Sequence, residues 1–147
     1  MSASLDPGLA LQELLYGLLS KTVTVYDAVP QNASFPYVTI GDDTAVDWST
    51  KTTVGMEVTA TIHSWSRYNG RKEVRETMQA VMRLLGLDHV PDPSSVFPLT
   101  FPIRFRQQVI GTYRIVQHGL EFSQVLEESD GITRHGVQRF RFRIEEV

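Results

Sequence analysis

The sequence contains no cysteine, and this absence alone removes several classes of protein. A disulfide-stapled scaffold, a thiolate metal site and a cysteine nucleophile all need a thiol. The chain also lacks any apolar run near the ~18 residues that a membrane-spanning helix requires. Its first residues, MSASLDPG, have neither a basic stretch nor a long apolar stretch, so we expect no signal peptide. These absences favour a soluble intracellular or particle-borne protein.

Positive charge is scarce in the first 60 residues. They hold two cations and seven acids, a balance of −5, whereas residues 61–147 hold twelve cations and ten acids, a balance of +2. The net charge of −3 argues against generic nucleic-acid binding. One interpretation of the asymmetry is a subunit that meets copies of itself head to tail, acidic surface on basic surface. The other is that both parts interleave in one fold and the asymmetry averages out.

Length and hydrophobic periodicity predict one domain over residues 1–147 with two helices. A chain of 147 residues with 41% hydrophobic content can bury a core without disulfide bonds or a structural metal ion. Asp6 and Pro7 are typical of a helix start, and leucines on a broad face follow them. A second helix is expected over 71–85. The predicted strands span 23–26, 35–40, 56–65, 103–110, 113–126 and 137–144. This order predicts an α+β fold with an antiparallel or mixed β-sheet and both helices packed on one face.

Two stretches without a regular pattern interrupt these elements. Residues 41–53 are polar and are predicted to form a loop. Residues 87–102 contain four of the seven prolines, so no regular element is expected there. A connection this long is usually functional or mobile. We therefore expect this proline-rich excursion to act as an arm.

The polar stretch contains an acidic cluster of Asp42, Asp43 and Asp47 beside Trp48. Carboxylates are ligands for hard metal ions, but the stretch has no glycine-punctuated loop with a downstream glutamate. A solvated loop is therefore favoured over a metal site. An aromatic side chain in a polar loop either anchors a partner surface or folds back onto the core. The sequence leaves both alternatives open for Trp48.

Catalytic signatures are missing from the sequence. It contains no P-loop, GxSxG, GxGxxG or HExxH pattern. The four histidines, His63, His89, His118 and His135, are scattered. A site built from His63, Ser64 and an acid is the enzymatic alternative, but adjacent strand residues point to opposite faces, so these two side chains cannot pair directly. We expect no catalytic residue, no metal and no cofactor.

The strongest basic feature is a stripe on the last predicted strand. Alternation places Phe140 and Phe142 on one face and the arginines on the other. The stripe comprises Arg139, Arg141 and Arg143, with Arg104 and Arg106 as candidate additions. It could contact phosphates, but no aromatic residue for base stacking shares its face, and Glu145 partly cancels its charge. A solvated or subunit-facing stripe is the favoured interpretation.

Three stretches follow one another in a specific order. They are VYDAVPQN with FPYVTIG within 25–41, IHSWSR with GRKE within 62–73, and RHGVQRFR at 134–141. In this order the sequence resembles the tail-completion, or tail-terminator, family of long-tailed bacteriophages and gene transfer agents. Residues 87–111 depart from the family pattern because they are longer and richer in proline.

The resemblance implies a structural, non-enzymatic protein of the virion tail and neck, assembled in the host cytoplasm. Such proteins form a homo-hexameric ring on the head-proximal end of the tail tube. The ring ends tube polymerisation, meets the head-side connector or stopper, and leaves a channel through which the genome DNA passes without sequence-specific binding. No membrane partner is implied. The alternatives are another neck protein, a head-tail stopper or adaptor, or a nucleic-acid-binding module that uses the arginine stripe.

The charge asymmetry and the resemblance together predict where subunits or partners meet. We expect an acidic surface of one copy to contact the basic surface of the next. The candidate subunit or partner interface comprises Asp42, Asp43, Asp47, Trp48, Arg139, Arg141 and Arg143.

Overall fold

The computed structural model describes residues 5–85 and 100–147. Over these ranges the chain forms two α-helices and six β-strands. In chain order they are α1 (Gly8–Leu19), β1 (Val25–Tyr26), β2 (Tyr37–Asp47), β3 (Gly55–Ser66), α2 (Lys72–Leu85), β4 (Thr100–Phe105), β5 (Gln108–Glu127) and β6 (Arg134–Glu146).

The strands form one mixed sheet in the order β1-β2-β3-β6-β5-β4. The pairs β2–β3, β4–β5 and β5–β6 are antiparallel neighbours in the chain. β3 and β6 also pair antiparallel, from Gly55 opposite Glu145 to Ser66 opposite Arg134. β1 pairs with β2 in parallel over two residues. The predicted α+β fold with a mixed sheet is confirmed.

Both helices cover the same face of this sheet, which we call the helix-covered face. Its side chains alternate with those of the opposite, open face, as period-2 strands require. Val58, Ala60 and Ile62 of β3 are buried against the helices. The helices contribute Leu11, Leu15, Leu18, Leu19, Val81 and Leu85 to the same core, and β6 contributes Phe140, Phe142 and Ile144. The prediction of two helices on one face is therefore confirmed.

Helix α1 contacts strands from both halves of the sheet. It packs against β2, near one end of the strand order, and against β4, at the other end. A flat sheet of six strands would hold these strands far apart, so the sheet curls around α1. Most of the leucine-rich surface of α1 is covered in this way, although Leu9 remains 65% exposed.

Helix α1 begins one residue later than predicted, because Pro7 is the N-cap and Gly8 is the first helical residue, whereas Asp6 was expected as the N-cap and Pro7 as the first helical residue. The Asp6 carboxylate Oδ1 accepts a hydrogen bond of 2.8 Å from the Gly8 backbone N–H. This bond satisfies one of the donors that every helix leaves unpaired at its N-terminus.

The predicted loop over 41–53 is wrong in its first half. β2 continues through the acidic residues to Asp47, with a register shift between Ile40 and Asp43. The strand persists because its backbone is paired with β3, while its side chains beyond Gly41 remain exposed. An exposed strand of this kind has no hydrophobic alternation, and alternation is the signal on which the prediction rested.

The predicted strand over 103–110 is also wrong, because a hairpin turn divides it. β4 ends at Phe105 and β5 begins at Gln108. The two residues between them, Arg106 and Gln107, have φ angles of 49° and 71°. Positive φ at both central positions is the geometry of a tight two-residue hairpin turn. Such turns usually contain Asn-Gly, so Arg-Gln gave no turn signal.

The structure describes only the end of the proline-rich excursion predicted over 87–102. Residues 100–102 are the first residues of β4. Residues 87–99 lie outside the described residues. The prediction that the excursion acts as an arm is therefore not tested.

Candidate interaction surfaces

The open face of the sheet carries the arginine stripe. On β6, Phe140 and Phe142 are fully buried, whereas Arg139 is exposed and Arg141 and Arg143 are partly exposed. The predicted division of β6 into an apolar face and a basic face is confirmed.

The three arginines of the stripe have different surroundings. The Arg143 Nε lies 3.0 Å from the Glu57 Oε2, and its Nη1 donates a hydrogen bond of 2.9 Å to Gln117. Arg139 lies over the Phe122 ring, with its Cζ 5.5 Å from the ring centroid. Arg141 is opposite Gly119 and pairs with no carboxylate among the described residues. Arg139 and Arg141 are therefore the two uncompensated charges of the stripe, because neither pairs with a carboxylate among the described residues.

Trp48 folds back onto the sheet. Its ring lies beneath the Arg143 guanidinium, with 5.4 Å from Cζ to the ring centroid. A Cβ atom added to Gly55 would lie 2.8 Å from the Trp48 carbonyl oxygen and 3.3 Å from its ring. Glycine is thus required at this position, because the backbone carbonyl of Trp48 lies too close to β3 for a side chain. Trp48 remains only partly exposed, at the edge of the arginine stripe.

The acidic residues lie on a strand and do not form one cluster. Asp43 is opposite Ala60 and Asp47 is opposite Met56, so both side chains project on the helix-covered side of the sheet. At a rise of about 3.3 Å per residue, these two positions are about 13 Å apart. Asp42 occupies the irregular part of β2 beside His63. The side chains of Asp43 and Asp47 therefore project on the opposite side of the sheet from the arginine stripe.

A cavity of about 260 Å³ opens between α1 and β2. Its apolar lining comes from Leu11, Leu15 and Ala60, which are at most 3% exposed. Its remaining lining residues are Gln12, Asp27, Ile40, Gly41, Asp42 and Asp43. The Gln12 side-chain amide donates a hydrogen bond of 3.0 Å to the Asp27 carboxylate. We call this cavity the α1–β2 pocket; it combines an apolar lining with three carboxylates.

The open face also carries a pair of histidines that are far apart in the sequence. The His63 Nδ1 lies 2.6 Å from the His135 Nε2. His135 stacks on Trp65, with 3.8 Å between ring centroids and 9° between ring planes. The His135 Nδ1 lies 2.9 Å from the Glu128 Oε1. These contacts join β3, β6 and the end of β5 through one chain of hydrogen bonds.

The surroundings of the pair favour the neutral form of His63. Burial lowers the pKa of His63, the neighbouring His135 lowers it further, and Asp42 opposes both effects. The two histidines are 72 positions apart, so no local sequence pattern links them. The β3–β6 register, in which His135 is opposite Trp65, is what makes them neighbours.

The enzymatic alternative built on His63 and Ser64 is not supported by their positions. Ser64 is fully buried on the helix-covered face, whereas His63 projects on the open face. His118 is also buried, with its Nδ1 2.9 Å from the Leu85 carbonyl oxygen. His89 lies outside the described residues.

Two other kinds of site are absent from residues 5–85 and 100–147. No three histidine or acidic side chains there come together in a way that could hold a metal ion. No helix in those ranges is long and apolar enough to cross a bilayer.

Comparison with known proteins gives a consistent result. The family profile described as Tail completion protein gp17 matches residues 3–145. Tail completion protein gp17 of Bacillus phage SPP1 is 26% identical over 127 residues, which cover 86% of this chain and 81% of that protein. A chain of a solved structure described as the virion of a native gene transfer agent (GTA) particle matches the fold. Its TM-score is 0.70 at 24% identity, and the match covers 97% of this chain and 99% of that chain.

The profile match covers nearly the whole sequence, and the solved structure has a similar fold over nearly the whole chain. The family consists of structural tail components of phage virions, which confirms the expectation that this protein is not an enzyme. The resemblance inferred from the three sequence stretches is also confirmed. The chain belongs to the tail completion protein gp17 family.

Proposed function

We propose that this protein forms a ring on the head-proximal end of the tail tube, where it ends tube polymerisation and joins the tail to the head-side connector. The observation that carries the proposal is the family match over residues 3–145. A tube grows by repeated addition of one subunit, so completing it requires a component that binds the last ring and offers no further site for growth. A closed ring of a different subunit meets both requirements.

The distribution of charge on the subunit supports a ring closed by unlike surfaces. A heterologous interface joins two different patches of the same chain, and repetition of that contact around an axis closes a ring. Asp43 and Asp47 project on one side of the sheet, and Arg139 and Arg141 project on the other. We propose six subunits, as the sequence resemblance implies.

The proposed subunit or partner interface retains the residues predicted from the sequence, with different roles. Arg139 and Arg141 supply the exposed positive charge. Arg143 and Trp48 are engaged within the subunit, so they hold the stripe in position. Asp42, Asp43 and Asp47 supply the complementary negative charge along β2.

The proposed partners are the tail tube protein, the head-tail connector or stopper, and the genome DNA that passes through the ring. The net charge of −3 fits passage without tight or sequence-specific binding. Assembly takes place in the host cytoplasm, and the finished ring remains in the virion.

The test is the mass of the purified protein in solution, with and without tail tubes, followed by electron microscopy of the tube ends. A ring in solution, or a ring that appears only at one tube end, supports the proposal. A protein that ignores tube ends but binds the isolated connector instead would favour a head-tail stopper or adaptor. A monomer that binds neither contradicts the proposal.

A further inference from the structure

The hairpin that joins β4 and β5 ends in seven consecutive exposed residues, 104–110, which we call the hairpin tip. Three of its side chains are apolar and more than half exposed: Phe105 at 61%, Val109 at 53% and Ile110 at 51%. Arg104 and Arg106 add two positive charges, and the tip contains no acidic residue. Apolar side chains concentrated at one exposed point are typical of an interaction surface.

The shape of the hairpin tip is fixed before it binds anything. β4 and β5 are paired up to Phe105 opposite Gln108, and only Arg106 and Gln107 form the turn. The Arg106 guanidinium lies over the Phe105 ring, with 5.2 Å from Cζ to the ring centroid. A preformed tip loses little conformational entropy when it docks, which favours binding.

The α1–β2 pocket has the complementary chemistry. Leu11, Leu15 and Ala60 form its floor, and its volume of about 260 Å³ is suited to one large side chain such as that of Phe105. Its three carboxylates, on Asp27, Asp42 and Asp43, match the two arginines. The arginine stripe does not suit this pocket as well, because it lies along a sheet and Arg143 is already bound to Glu57.

The positions of tip and pocket fit a contact between copies. The tip joins β4 to β5, whereas the pocket lies between α1 and β2. They are two different patches of one chain, as a heterologous contact between copies requires.

We propose that the hairpin tip of one copy docks in the α1–β2 pocket of the next copy around the ring. This inference rests on the proposed ring and names one of its contacts. Phe105 packs against Leu11 and Leu15, and Arg104 and Arg106 pair with the carboxylates at the pocket mouth. Asp47, further along β2, remains available to the arginine stripe.

Charge reversal tests the electrostatic part of the contact. The variant R104E/R106E places two negative charges opposite three carboxylates, so we expect about tenfold weaker association or more at low ionic strength. The matched control R75E/R83E reverses two exposed arginines of α2 and should assemble normally. Adding the substitutions D27R/D43R to R104E/R106E restores opposite charges, and we expect assembly to recover. Each variant is first compared with the unmodified protein by circular dichroism and thermal unfolding.

Disulfide cross-linking tests the contact itself, because the natural chain has no cysteine. The double variant F105C/Q12C should form a ladder of cross-linked chains under oxidation, at tube ends or in free rings. The matched control F105C/Y68C pairs the tip with another exposed position and should give no ladder.

The outcomes separate this inference from the proposed ring. Rings that form normally from R104E/R106E, without a ladder from F105C/Q12C, overturn the inference and leave the ring proposal standing. If R104E/R106E forms normal rings that no longer cap tubes, the tip contacts the tube protein instead of the next copy. This result also overturns the inference. If the unmodified protein never forms a ring, with or without tubes, both proposals fail.

Discussion

The imidazoles of His63 and His135 share a hydrogen bond of 2.6 Å between Nδ1 and Nε2. When His135 is neutral, its Nδ1–H donates to Glu128 and its Nε2 accepts from the Nδ1–H of His63. If both rings were charged, two N–H donors would face each other, so this bond requires at least one of the two rings to be neutral.

We expect the stability of the protein to fall as the pH is lowered through the titration range of His63. The pKa of His63 in the folded protein is below 6.5, so the unfolded chain binds more protons between the folded pKa and 6.5. The free energy of unfolding therefore rises with pH across that window and is lower below it. Urea unfolding from about pH 8 to about pH 5 measures this slope. The variant His63→Gln should show a smaller slope.

The variant His135→Gln is the control for this prediction. It removes the neighbouring positive charge that helps to lower the pKa of His63. The imidazole resonances of His63 should then titrate at a higher pH in an NMR experiment. An unchanged His63 titration in this variant would contradict the proposed coupling of the two rings.

A side chain at position 41 should disrupt the same pair. A Cβ atom on Gly41 would overlap with the His63 Nε2 and lie 2.7 Å from its Cδ2, and the ring is held in place by His135. We expect Gly41→Ala to lower the free energy of unfolding by about 1–3 kcal/mol. Gly17→Ala is the matched control, because nothing lies within 4 Å of its added Cβ. In the interior of α1 it should stabilise the protein by about 0.5–1 kcal/mol.

A substitution in the hairpin turn between β4 and β5 should raise the free energy of unfolding. Gln107 has a φ of 71°, a conformation that glycine adopts without steric penalty. We expect Gln107→Gly to raise the free energy of unfolding by about 0.5–1 kcal/mol, net of the greater entropy of the unfolded chain. Gln107→Ala keeps a Cβ atom and should give almost no gain. Urea unfolding distinguishes the two, and equal effects of both variants would argue against the positive φ.

Reversal of the two uncompensated charges of the stripe tests the proposed interface. We expect R139E/R141E to weaken ring formation about tenfold at low ionic strength, with a smaller effect at high salt, where surface charges are screened. Sedimentation of the purified protein, and the fraction of capped tubes in electron micrographs, measure the change. The α2 variant R75E/R83E again provides the control. If R139E/R141E forms normal rings, the arginine stripe is not part of the subunit interface.

Much of the fold could be predicted from the sequence because the strongest periodic signals belong to the central elements. β3 alternates between buried and partly exposed residues along its length, and α2 repeats its buried residues at helical spacing. Both patterns arise because these elements contact the core on one face only. The predictions failed at the sheet margins, where β2 beyond Gly41 is exposed and the Arg106–Gln107 turn lacks the usual residues.

The candidate surfaces could be predicted only where a single strand carries them. The arginine stripe follows from the alternation of β6 alone. The histidine pair depends on the register between β3 and β6, and the α1–β2 pocket depends on how the sheet curls around α1. Local periodicity determines neither the register between two strands nor the curvature of a sheet. The histidine pair and the α1–β2 pocket therefore could not be found from the pattern of neighbouring residues.

The position of α1 also determines the width of the subunit. Because this one helix packs against both β2 and β4, the volume of its leucine side chains sets the distance between two opposite margins of the sheet. Trimming Leu11 or Leu15 would draw these margins together as well as loosen the core. In a closed ring of identical subunits, such a change in width would accumulate once per subunit and alter the circumference.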